Sequence, residues 1–92
     1  MEEEVLIMAK KQDMKISEAR ILIFLDRANK AYKYKVQIAK KLDMEYGYLA
    51  KILNGMEQKD WIVRHKSLSM NKVFYLLTVK GANKLPKALE VI

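Results

Sequence analysis

The chain has 92 residues, 51% of them hydrophobic and 32% charged, with 18 Lys and Arg against 11 Asp and Glu for a net charge of +7. That balance suits one small folded domain and excludes a disordered chain, while the length excludes several independent cores. There is no cysteine, which removes disulfides and thiolate metal sites, and apolar runs of four or five residues are too short to span a bilayer.

Taken in chain order, residues 2–12 place acids first and lysines last, which suits a helix dipole, with Val5, Leu6, Met8 and Ala9 for one face. Ser17 is the expected N-cap of a helix over 18–29. There Ala19, Leu22, Ile23 and Ala28 recur at helical spacing, and Ile21, Phe24 and Leu25 widen the stripe enough to make this helix central. Tyr32-Lys33-Tyr34 reads as a short extended connection. A helix follows at 35–42, with Val36, Ile38, Ala39 and Leu42 inward and Lys35, Lys40 and Lys41 outward. A turn at Asp43-Met44 leads to a third helix over 45–58, whose buried stripe is Leu49, Ile52, Leu53 and Met56. Gly55 costs that helix roughly 1 kcal/mol relative to Ala and marks an expected kink or early end.

From Trp61 the period changes. WIVRH (61–65) and VFYLL (73–77) are β-branched and aromatic runs that read as two strands, and KSLSMNK between them reads as an exposed hairpin tip. Thr78 then caps a helix over 79–90, with Val79, Ala82, Leu85, Ala88 and Leu89 on one side. Pro86 inside that stretch should bend or split it. The expected fold is mainly α with a β-hairpin, in the order α-α-α-α-β-β-α. It forms one domain with an N-terminal helix or arm (1–14), a core (17–77) and a C-terminal helix (78–92).

The positive charge is not spread evenly. Residues 1–29 have net charge −1, residues 30–72 carry ten basic and four acidic side chains for a net +6, and residues 73–92 add +2. A local basic field suits a polyanion, nucleic acid first and an anionic membrane surface second. The plainer alternative is a solubilising lysine surface, since fifteen of the eighteen basic residues are Lys.

Three stretches carry a resemblance to the winged helix-turn-helix family, in particular to small MarR-like prokaryotic and archaeal regulators. VQIAKKLDM is similar to the first helix and turn of its DNA-binding motif, with Asp43 where Gly is usual. YLAKILNGMEQKDWI is similar to the recognition helix running into the wing, with Asp60 at the customary Gly. YLLTVKGANKL resembles the closing strand and helix start, Leu-Thr-x-x-Gly. Glu45 replaces the usual Ser or Thr cap, and the frequent Asp-x-Arg of the wing is missing, with Asn71-Lys72 near its place.

The resemblance implies a homodimer on double-stranded DNA, pairing through terminal helices and placing the third helix in the major groove. On that basis Tyr46, Gly47, Tyr48, Lys51 and Asn54 become candidate DNA contacts. The tyrosine hydroxyls would meet phosphates or bases, Gly47 would let the backbone approach, Lys51 would reach phosphate or guanine, and Asn54 would read adenine. Their packing alternative sets both tyrosine rings against the preceding helix. Lys66, Ser67, Ser69 and Lys72 are candidate wing contacts, and Lys35 borders the backbone with Lys33, Lys40 and Lys41. An intracellular protein associated with the nucleoid is expected, with no cofactor, metal or small-molecule ligand. One His without Cys or clustered acids supports neither a metal site nor a catalytic triad. Trp61 is expected as a core anchor and His65 as a strand-end surface residue. Two other functions fit the same residues: a winged-helix adaptor for an acidic protein, and a non-specific coater of DNA.

Overall fold

The computed structural model describes residues 14–29, 33–69 and 72–92, so the expected helix over 2–12 lies outside it, as do Tyr32 and Asn71. The described chain runs α1 (Ile16–Arg27), α2 (Lys35–Leu42), α3 (Tyr46–Gln58), β1 (Ile62–Ser67), β2 (Lys72–Leu77), α4 (Val79–Ala82) and α5 (Leu85–Val91). Three helices followed by an antiparallel hairpin make a winged helix.

The first helix starts two residues earlier than its sequence suggests. Ser17 is not its cap, and its hydroxyl is buried without a hydrogen-bond partner. Lys15 holds the N-cap position in extended backbone, and the Glu18 carboxylate accepts the Lys15 backbone N–H at 2.8 Å. An acid three residues into a helix satisfies one of the orphan donors of the first turn, which is what a serine cap would otherwise do. Glu18 is only 4% exposed, yet its second oxygen receives the Lys59 ammonium at 2.8 Å. That pair ties the start of α1 to the end of α3 and keeps a buried charge compensated. Ala19, Ile21, Leu22 and Leu25 are buried as expected, whereas Ile23 and Phe24 are only partly covered.

In α2, Ile38 is buried but Val36 is 44% exposed, contrary to expectation. Residues two apart on an α-helix point about 200° apart, so Val36 and Ile38 cannot share the core face. The turn after α2 has Asp43 in left-handed backbone (φ 54°, ψ 50°). Met44 N–H reaches back to Ala39 O at 2.9 Å, and the Arg20 guanidinium donates to Leu42 O. The end of α3 repeats the device. Asp60 has φ 66°, Trp61 N–H bonds Met56 O at 3.0 Å, and Asp60 N–H bonds Glu57 O at 3.0 Å. Both aspartates therefore take the place glycine favours in a Schellman motif.

Helix α3 does not stop at Gly55 but runs on to Gln58, with Leu53 and Met56, both fully buried, anchoring it on either side. The strands pair from Ile62 with Leu77 to Ser67 with Lys72. They extend past the expected ends, so Lys66, Ser67 and Lys72 belong to strands and His65 to a strand interior. Tyr34 bridges Phe74, and Lys33 O accepts the Tyr75 N–H at 2.8 Å, so the segment before α2 edges the hairpin. Trp61 is 7% exposed, with the Lys59 ammonium 4.6 Å from its ring centroid.

The expected helix over 79–90 is two helices. Thr78 accepts the Gly81 N–H at 2.9 Å and caps α4, and its hydroxyl donates to Asp60 O at 2.5 Å. The break precedes Pro86 for a steric reason. A proline cannot donate to the carbonyl four residues back, here that of Ala82, and its ring collides with it. Pro86 is accommodated instead in the first turn of α5. The expected apolar stripe divides accordingly: Ala88 is buried, but Val79 (81%), Ala82 and Leu89 (54%) are exposed.

Candidate nucleic-acid interface

The buried stripe of α3 fixes what the helix presents to solvent. Residues turn by about 100° each, so with Leu49, Ile52, Leu53 and Met56 inward the middle of the outward face holds Gly47, Lys51, Asn54 and Gln58, all exposed. Tyr46 and Tyr48, 51% and 50% exposed, lie on opposite flanks. Tyr48 borders a cleft with Met14–Ser17 and with Lys87 and Glu90 of the C-terminal helix. Tyr46 faces the hairpin, with the Lys35 ammonium 5.5 Å from its ring centroid. Neither ring is packed away, although both flank the outward face.

Glu45 shapes the leading end of this helix. Its carboxylate accepts the N–H groups of Gly47 (2.8 Å) and Tyr48 (2.9 Å). Those two bonds, in that order, hold its carboxyl below the ordinary value, opposed by burial and helped last by the nearby Lys51 charge. A side chain at Gly47 would place Cβ 3.0 Å from Glu45 Oε1, so glycine there gives the cap room to close. The sequence suggests close backbone approach to a ligand at Gly47, but its N–H is occupied by Glu45.

On the hairpin, Lys66 and Ser69 are exposed, and Ser67 Oγ lies 3.3 Å from Ser69 Oγ. Lys72 sits 4.2 Å from the ring centroid of Tyr34. The candidates thus divide into three groups. Lys35, Tyr46 and Lys72 gather in one groove, Gly47, Lys51 and Asn54 form the helix face, and Lys66, Ser67 and Ser69 run toward the hairpin tip. Tyr48 stands apart on the far flank.

Three further residues belong to this surface. Gln58 completes the outward face of α3, a position that helical counting from Lys51 and Asn54 gives directly. Tyr34 and Arg64 line the groove with Lys35, Tyr46 and Lys72. Arg64 Nε donates to Glu57 Oε2 at 2.9 Å, and that bond, then the Glu57 charge, raises the guanidinium further above its ordinary value. No local pattern marks either residue, because chain pairing across the hairpin brings them together.

The arrangement is a winged helix, and solved structures share that fold. A mutant of MepR from S. aureus superposes with a TM-score of 0.77 at 19% identity, over 86% of this chain and 58% of that one. The transcriptional repressor CouR, bound to a 23-mer DNA duplex, gives 0.76 at 24% identity, over 90% of this chain and 57% of that one. The transcriptional regulator PA3341 gives 0.68 at 22%, over 83% and 57%. This chain therefore spans under six-tenths of the length of each. No protein-family model and no curated protein matches the sequence.

Proposed function

We propose that this chain is a sequence-specific, double-stranded-DNA-binding transcriptional regulator acting as a homodimer on the nucleoid. The observation that carries the reading is α3: its face of Gly47, Lys51, Asn54 and Gln58 is open to solvent, with cations on the neighbouring hairpin. A helix of this shape fits the major groove, where Lys51 recognises guanine edges or phosphate and the two amides suit adenine. Lys66, Ser67, Ser69 and Lys72 then contact backbone or minor groove, and the tyrosines donate to phosphates on either side of α3. The likeness to CouR, itself bound to a duplex, supports the same partner.

Two copies pairing through their terminal segments set two recognition helices about one DNA turn apart, roughly 34 Å, over a palindromic site. Exposed Leu89 and Ile92 support that pairing. The test is fluorescence anisotropy of a duplex from the gene's own upstream region against a random duplex, each at two salt concentrations. Tighter upstream binding that survives added salt is expected. Equal affinities that collapse with salt indicate a non-specific coater. No binding to either by folded protein favours an adaptor for an acidic partner.

A further inference from the structure

Between the first turn of α3 and the hairpin runs a groove of about 280 Å³ whose walls come from four elements. Tyr34 and Lys35 enter from the start of α2, Tyr46 from α3, Arg64 from β1, and Lys72 from β2; none of the lining residues is acidic. Three cations of different origin thus converge where the fold leaves a trough.

Each donor is held in place. Glu57 engages only Nε of Arg64, and a guanidinium carries four further N–H donors in a planar fork that matches phosphate oxygens. The Tyr34 ring meets Phe74 edge-on at 6.1 Å, and its oxygen accepts from Gln37 Nε2 at 3.2 Å, which leaves its own proton to donate outward. Donation from Gln37, opposed by burial and helped by Lys72, also makes that hydroxyl more acidic than an ordinary tyrosine. A more acidic hydroxyl is a stronger donor to an anion.

The position of the groove identifies the anion. If α3 occupies the major groove and the hairpin reaches the adjoining minor groove, the sugar–phosphate strand dividing the two must pass between them. We propose that this groove grips one phosphodiester of that strand, with Arg64 and Tyr34 donating hydrogen bonds and Lys35 and Lys72 supplying charge. The assignment rests on the DNA-binding reading above. It adds Tyr34 and Arg64 to the contact set and gives the Glu57–Arg64 pair a role in holding the phosphate fork beside the recognition helix.

Salt dependence tests it. Removing one phosphate contact lowers the slope of log affinity against log salt by about 0.9. Wild type, Arg64→Gln and Lys80→Gln are titrated with the upstream and random duplexes; Lys80 is an exposed cation of α4 outside the groove. Arg64→Gln is expected to lower the slope by about one on both duplexes while Lys80→Gln leaves it unchanged. Tyr34→Phe should weaken binding roughly two- to tenfold with the slope intact, as for one lost hydrogen bond. A scan of single neutral methylphosphonate linkages supplies a readout independent of variant folding. One linkage per half-site should weaken wild type, and Arg64→Gln should lose less than wild type at that linkage while matching it at the others. Parallel slopes for Arg64→Gln and Lys80→Gln, with wild type binding normally, overturn the groove assignment and leave the DNA reading standing. Failure of wild type to bind either duplex overturns both.

Discussion

Asp60 and Gly81 sit within one hydrogen-bonded corner and make opposite demands on their side chains. Asp60 holds φ 66° at the end of α3, a conformation that a Cβ disfavours and that places a negative charge at the negative end of a helix dipole. Gly81 faces the other problem: a Cβ built there lies 1.9 Å from the Trp61 carbonyl oxygen, and backbone cannot yield as a flexible side chain can. Urea denaturation should therefore give opposite signs. Asp60→Gly should raise stability by about 0.5–1 kcal/mol, part of the gain being offset by the looser unfolded chain. Gly81→Ala should lower stability by about 3 kcal/mol, with an unchanged m-value. A neutral Gly81→Ala would mean that the Thr78–Trp61 corner is looser than its hydrogen bonds indicate.

Among the elements, α3 has its N-terminal support in a single carboxylate. Glu45 titrates below its ordinary value of 4.5 because the Gly47 and Tyr48 N–H groups bond its ionised form. Its support is complete above that ordinary value. It declines as pH falls below it and is gone once pH drops through the lower folded value. Amide exchange by NMR should show the protection of Gly47 and Tyr48 falling over that acidic window in wild type. Glu45→Gln should flatten the dependence, and identical profiles would exclude Glu45 as its source. The same elements show what periodicity conveys. The bounds of α2, the buried stripe of α3 and the turn at Asp43-Met44 were legible, because helical spacing and turn chemistry are local, whereas Asp60 was placed at a helix end only by the family resemblance. Val36, Leu89 and the strand ends around Lys66 and Ser67 were not legible. An apolar residue does not announce which neighbour covers it, and an exposed two-stranded ribbon pairs its backbone whatever the polarity of its side chains. The site divided the same way: the α3 face follows from counting, while the meeting of Tyr34 with Arg64 depends on how the hairpin folds back.

For the whole molecule, charge and apolar exposure call for opposite responses to salt. Each copy carries net charge +7, so two copies repel one another while both attract DNA, and added salt weakens both effects. The surface proposed for pairing is apolar. Leu89 and Ile92 are 54% and 64% exposed, and Ile23, Phe24 and Leu42 line an open cleft that Ile92 also borders. Self-association should accordingly tighten or hold as salt rises, in the same range where affinity for a duplex falls. Sedimentation of wild type should give twice the monomer mass, and Leu89→Glu should shift it to the monomer by placing like charges in the apolar contact. Because pairing makes the second half-site contact intramolecular, Leu89→Glu should also lose most of the preference for a palindromic duplex while keeping residual binding to one half-site. A monomeric wild type that still discriminates the palindrome would remove the dimer from the mechanism. A dimer unaffected by Leu89→Glu would move the contact away from the end of α5.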